Sequence, residues 1–179
     1  KTARAHAIAI LPDGVLTAKE TVQVTRDANG MFVYDPARDI VKIAVIERQH
    51  DTGNVAVGLL KNYGLHSGAV ALSIAHDSHN IIAVGANDAD MAFAVETLIR
   101  LGGGIVLAKD GCVLESMSLP IAGLMSERNG VWVDQKLALI HETAHDALGV
   151  SRDLEPMMTL CFMSMPVSPE IRLTGMGRF

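Results

Sequence analysis

Residues 69–86 read AVALSIAHDSHNIIAVGA, two aliphatic runs flanking a stretch that holds two imidazoles, a carboxylate, a hydroxyl and a carboxamide. AVALSIA (69–75) and NIIAVGA (80–86) read as buried strands, because short apolar runs bounded by polar turn chemistry fit strands better than helices. AHDSHN (75–80) then joins two buried strands, and its polar groups must emerge at one end of a sheet, where sites are commonly built. His76 and His79 are three apart, so a tight turn brings both rings to one face, where Asp77 is placed to fix a tautomer or hold a protonated imidazole. The purely structural alternative is an Asx-type turn in which Asp77, Ser78 and Asn80 satisfy local backbone groups.

The same reading extends upstream. IVKIAVIE (40–47) is a nearly continuous apolar strand that ends in a second polar cluster, ERQHDTGN (47–54), followed by the strand VAVGLL (55–60). Glu47, Arg48, His50, Asp51 and Asn54 sit at that strand end, and if the two strands are neighbours both clusters share one rim. Further back, alternation in AHAIAIL, VLTAKETVQV and GMFVY predicts half-buried antiparallel strands, with turns at Pro12-Asp13-Gly14 and at DANG (27–30). Residues 1–34 are set apart as a possible β-hairpin subregion. The opening segment, without an initial methionine, reads like the middle of a longer protein.

Downstream, Asn87 and Asp88 offer an N-cap to a helix with apolar positions Met91, Ala94, Val95, Leu98 and Leu101. Gly102-Gly103-Gly104 ends it; glycines after a helix and before a strand are the reverse of a phosphate-cradling loop. Residues 104–119 read as a hairpin turning at Lys109-Asp110-Gly111, since Asp-Gly readily takes positive φ. A second helix is expected from about Asp134 to Leu148, stopped by Gly149. PMMTLCFMSMP (156–166) reads as a methionine-rich apolar strand, after which Pro166 and Pro169 loosen the chain. The expectation is an α+β domain: a mixed, mostly antiparallel sheet of about nine strands with two main helices packed on one face of it.

Composition sets the outer limits. Of 179 residues, 49% are hydrophobic and 20% charged, enough apolar surface to offset the entropy of ordering a single domain. A net charge of −5 and only 4% aromatic residues supply neither the basic stripe nor the stacking platforms of a nucleic-acid binder. Apolar runs such as IIAVGA fall far short of the roughly 20 residues a membrane span needs. The expectation is a soluble, cytoplasmic protein with neither nucleic acid nor membrane as partner. Cys112 and Cys161 show no paired metal-ligand spacing and read as buried thiols.

HETAH (141–145) matches H-E-x-x-H, in which two histidines one helical turn apart hold zinc and the glutamate acts as general base. The helical phase argues against it, because His141 falls on the seam of Leu137, Ile140, Ala144 and Leu148. Two ordinary helix histidines is the reading adopted, with an independent zinc hydrolase as the alternative.

Taken together, residues 35–111, then LPIAGLMS (119–126), the LIHE helix (139–142) and PMMTLCFMSMPVSPEIRLT (156–174) resemble the carboxyl-terminal domain of bacterial and archaeal adenine deaminases, in the amidohydrolase superfamily. The resemblance covers nearly the whole chain, most specifically residues 35–125, and includes AHDSHN and the ER-H-TGN pattern of residues 47–54. The family pattern near HETAH resembles LHEAA followed by a non-histidine residue, so His145 is a departure. The resemblance implies conversion of adenine and water to hypoxanthine and ammonia, in purine salvage. It also implies a divalent metal (Mn, Fe or Zn) bound by an amidohydrolase barrel domain outside this chain, no metal within it, and a homo-oligomer. On that reading His76, Asp77 and His79 are candidate catalytic residues, and Asn80, Ser78, Glu47, Arg48 and His50 candidate substrate-binding residues, all in a rim that closes over adenine. The rival is a non-catalytic interaction or oligomerisation domain.

Overall fold

Side-chain size, as much as polarity, alternates along the central strands, and that alternation organises the molecule. The computed structural model describes residues 1–12, 14–165, 171–174 and 177–178. Strands β1 (Thr2–Ile10), β2 (Thr17–Arg26) and β3 (Phe32–Val33) precede β4 (Ile40–Ile46), β5 (Val55–Lys61), β6 (Ala69–Leu72) and β7 (Ile81–Gly85). Helix α1 (Asp88–Arg100), the hairpin of β8 (Gly104–Lys109) and β9 (Cys112–Ser118), and helices α2 (Gly130–Asp146) and α3 (Pro156–Phe162) follow. Leu173–Thr174 and Gly177–Arg178 form a small ribbon, β10 and β11.

Nine strands make one sheet in the order β3-β2-β1-β5-β4-β7-β6-β8-β9. Its neighbours are antiparallel except β1 and β5, which run parallel with Ile8 opposite Leu60. A mixed, mostly antiparallel α+β fold is therefore what the chain adopts. On one face Ile43, Leu72, Ile82 and Leu107 pack with Ile140, Leu148 and Leu160 of the α2 and α3 region. On the other, Ala44, Ala69, Ala71, Ala83 and Ala108 lie beneath Met91, Ala94 and Leu98 of α1. Strand side chains point alternately to opposite faces, so an alternating large-small sequence yields one thick face and one shallow one.

Three expectations are corrected. The helices cover both faces of the sheet, because both faces of its central strands are apolar. Residues 156–162 form a helix rather than a strand: Pro156 occupies the first helical position, where its missing N–H costs nothing, and the Glu155 carboxylate accepts from the Met158 amide. Of the two cysteines, Cys161 is buried as expected, its thiol pushed up to about 12 by burial, with Glu155 adding to the effect. Cys112 instead opens the edge strand β9 and is exposed.

Element boundaries moved for local reasons. Helix α2 begins at Gly130 because Asn129 caps it, its side-chain oxygen accepting from the Trp132 amide at 2.9 Å. β6 stops at Leu72, although the Ser73 amide still donates to Gly104 O at 3.1 Å. The Asn87 cap of α1 and the Asp110-Gly111 turn, at φ 53° and 71°, are present as expected. The DANG turn is closed by Asp27 Oδ1, which accepts from Asn29 and Met31. Asp13 of the Pro12–Gly14 turn, and Pro166 and Pro169, lie outside the described residues. No helix is long and apolar enough to cross a membrane among the described residues.

Candidate functional site

Register places the two polar clusters side by side. Ile46, the last residue of β4, pairs with Ile81, the first of β7, and with Val55, the first of β5. The β4–β5 loop (47–54) and the β6–β7 loop (73–80) therefore rise from the same end of the sheet. A third segment joins them there, because Gly104 at the start of β8 pairs with Ser118 at the end of β9. The chain leaving β9 turns back on itself at 121–125, where Met125 N donates to Ile121 O at 3.1 Å.

Glu47 organises the first loop from within. Its carboxylate accepts from the amides of Gln49, His50 (2.8 Å) and Thr52 (3.1 Å) and from the Thr52 hydroxyl (2.9 Å). The Thr52 amide above all, then the His50 amide, the Thr52 hydroxyl and the Gln49 amide, hold the Glu47 carboxyl down to about 2 against the opposing effect of burial. The His50 ring stands out into solvent, with its Nδ1 3.4 Å from Glu47 Oε1.

The second loop is held from outside. His76 N donates to Cys161 O at 2.9 Å, and the His76 ring tilts against Phe162 with centroids 4.7 Å apart, so α3 supports it from below. Asp77 and His79 take left-handed backbone conformations, φ 63° and 49°. The Asp77 carboxylate is exposed, 3.8 Å from His76 Nδ1. Ser78 Oγ accepts weakly from Asn80 N at 3.4 Å, a remnant of the Asx-type turn. His79 Nδ1 is buried without a hydrogen-bond partner among the described residues. A buried imidazole nitrogen of that kind has unmet hydrogen-bonding capacity.

Arg48 crosses between the loops. Its Nε donates to His79 O at 2.6 Å, and its NH2 group to Ala122 O at 2.5 Å. One residue on, the buried Ser73 hydroxyl donates to Gly123 O at 2.5 Å and accepts from Gly104 N at 2.8 Å. Beneath them lies a cavity of about 180 Å³ lined by Arg48, Ser73, Ile81, Leu98, Ile99 and the glycine turn at 102–103. A larger cavity, about 640 Å³, opens at the opposite end of the sheet beside Ile10, Asp39, Asn62 and Asp153, away from all three loops.

The structure thus brings Glu47, Arg48, His50, His76, Asp77, Ser78, His79 and Asn80 to one rim, while giving Glu47 and Arg48 backbone partners of their own. Sequence reading missed Ser73, Ala122, Gly123 and Phe162. Ser73 was the one hydroxyl in an apolar run, and Gly123 the one flexible position in PIAGLM; those were the available signals. HETAH lies elsewhere: His141 Nε2 sits 2.6 Å from Glu155 Oε1 without hydrogen-bond alignment, and His145 Nδ1 is 3.0 Å from Val150 O. Among the described residues no three histidine, cysteine or acidic side chains converge as metal ligands, so neither HETAH nor the rim offers a cage for a divalent metal.

Comparison with known proteins follows the same residues. Residues 14–179 match a family described as the adenine deaminase C-terminal domain. The chain is 60% identical to adenine deaminase 2 of Desulfotalea psychrophila over 98% of its length, 31% of that relative. It is 49% identical to adenine deaminase of Nitratidesulfovibrio vulgaris over 99% of its length, again 31% of the relative. The corresponding figures for Ligilactobacillus salivarius adenine deaminase are 46%, 97% and 30%. The chain therefore spans about a third of the length of the curated relatives it matches.

Proposed function

We propose, from the premise that this chain belongs to the adenine deaminase C-terminal domain family, that its three-loop rim closes the adenine pocket of a metal-dependent deaminase. The reaction converts adenine and water to hypoxanthine and ammonia. Its divalent metal, Mn, Fe or Zn, is assigned to an amidohydrolase barrel in the part of the enzyme outside this chain. The observation that carries the reading is convergence: loops from three separate strand connections meet at one sheet end and present His76 and His79 there.

Adenine is neutral, planar and small, so recognition rests on hydrogen bonds to its ring nitrogens and exocyclic amine in a site that excludes water. An imidazole offers both a donor and an acceptor near neutral pH. His79 turns Nδ1 inward, so it is the partly exposed remainder of its ring that is suited to meet one edge of the base. His76, backed by Phe162 and beside Asp77, is suited to hold or pass a proton at Nδ1. Glu47 keeps the neighbouring loop in shape rather than touching substrate.

Kinetics of the intact enzyme test this. His79→Ala and His76→Ala are each expected to lower kcat/KM for adenine on the order of 10- to 100-fold, the loss that follows from one buried or charge-assisted hydrogen bond. Melting temperature and bound metal should stay at their wild-type values. Wild-type kinetics in both variants would remove the rim from the reaction and leave the domain an assembly module.

A further inference from the structure

We infer that Arg48 is a positioning residue, a clamp that makes the AHDSHN loop and the 121–125 turn move as one body. The clamp rests on geometry alone; its effect on turnover rests on the closing role proposed above.

The guanidinium spans two segments 43 residues apart in the chain, donating from Nε to His79 O at 2.6 Å and from the NH2 group to Ala122 O at 2.5 Å. Both accepting residues hold unfavourable backbone: His79 at φ 49° and Ala122 at φ 57° are left-handed, with Asp77 at φ 63° between His76 and His79. Non-glycine residues keep such conformations where their surroundings over-determine them, and alanine has no side-chain oxygen to help. Each segment has hydrogen bonds of its own, His79 N to Ala75 O and Leu124 N to Ile121 O, and Arg48 is the side chain that ties the two together. Among the described residues no carboxylate pairs with it, so its donors are committed to carbonyl groups. The guanidinium holds its donors at fixed, spread positions that match the two carbonyl groups, whereas a lysine ammonium gathers its donors on one atom at the end of a flexible stem and does not reproduce that spread.

Gly123 is shaped to the clamp. A Cβ built there lies 2.6–2.8 Å from the terminal atoms of the guanidinium. Those atoms are the far end of a flexible side chain, so a methyl group at 123 displaces Arg48 rather than the sheet. Gly123→Ala opens the clamp without altering Arg48 itself; because Gly123 is left-handed (φ 73°) the substitution also strains the 121–125 turn, so its diagnostic readout is the loss of protection at residues 76–80.

Amide hydrogen exchange and steady-state kinetics on the intact enzyme separate the claims. In Arg48→Lys and in Gly123→Ala, residues 76–80 and 121–125 are expected to lose protection together, about tenfold or more, while β6 and β8 keep theirs. In Arg48→Ala, millimolar methylguanidinium should restore protection in both segments and methylammonium should not, a rescue that general destabilisation would not show. Loosening of one segment alone, or of neither, overturns the clamp. The KM for adenine is expected to rise several-fold with the same variants and to recover with methylguanidinium. Coupled loosening with KM and kcat at wild-type values would keep the clamp and overturn its role in closing the pocket.

Discussion

The two polar loops stand on adjacent strands at one end of the sheet, yet they are organised in opposite ways. Residues 47–54 are held by their own Glu47, whose carboxylate gathers amides two, three and five positions on. Residues 73–80 have short backbone bonds of their own, Ser78 N to His76 O and His79 N to Ala75 O, but their anchorage comes from distant groups: Arg48, the carbonyl of Cys161, the ring of Phe162 and the glycine turn after α1. A loop closed by a neighbour in sequence stays in shape when its surroundings change, whereas one closed by distant groups reports on all of them. The second kind is the one suited to respond to a substrate or to a docked domain.

The largest test of that contrast is Gly103→Ala. Gly103 has φ 113°, and a Cβ there would meet Gly123 Cα at 2.5 Å and Ser73 Oγ at 2.9 Å. Both the backbone and the buried hydroxyl would have to give way. Unfolding by denaturant should show a loss of about 3 kcal/mol or more, with exchange rising in 73–80 and 119–125 but not in 47–54. Loosening of 47–54 to the same extent would break the contrast.

Ser73→Ala is milder. It leaves Gly123 O and Gly104 N without their partner in a buried site, which should cost about 1–3 kcal/mol by the same measurement. Ser73→Thr should not substitute, because full burial leaves no space for the added methyl; a stable threonine variant would show that the site is looser than described.

The smallest effect belongs to the self-contained loop. Glu47 has its carboxyl at about 2 in place of 4.5, so the order it provides is complete above pH 4.5 and lost as pH falls toward 2. Amide shifts of His50 and Thr52 should titrate with a midpoint near the lower value, and Glu47→Gln should flatten the titration while β4 and β5 stay intact. A midpoint near 4.5 would show that the carboxylate is not engaged with its loop.

What could be read from the chain divides along the same line. The strands, the Asn87 cap and the Asp110-Gly111 turn depend on residues close in sequence, and they were legible. The shared rim was legible as a condition, that strands beside the two clusters be neighbours, and the pairing of β4 with β7 meets it. The helix at Pro156–Phe162 was not: an apolar run of seven carries little periodicity, and only the Glu155-Pro156 pair, an acceptor followed by a residue lacking a donor, distinguished helix from strand. The 121–125 turn was invisible for a different reason. Its partners, Arg48 and Ser73, are 74 and 50 residues away, and no local pattern in PIAGLM announces them. Helices on both faces were legible in principle, since AVAL and IIAVG are apolar on both sides of the strand.

The large-small rhythm of the central strands has a consequence for how the sheet assembles. Sliding β6 by one residue against β7 and β8 would send Leu72 toward α1 and Ala71 toward α2, crowding one layer while hollowing the other. Every such mispairing is penalised twice, by collision and by void. β6, whose AVAL alternates strictly, therefore checks its own alignment as it zips, with volume rather than charge as the proofreader.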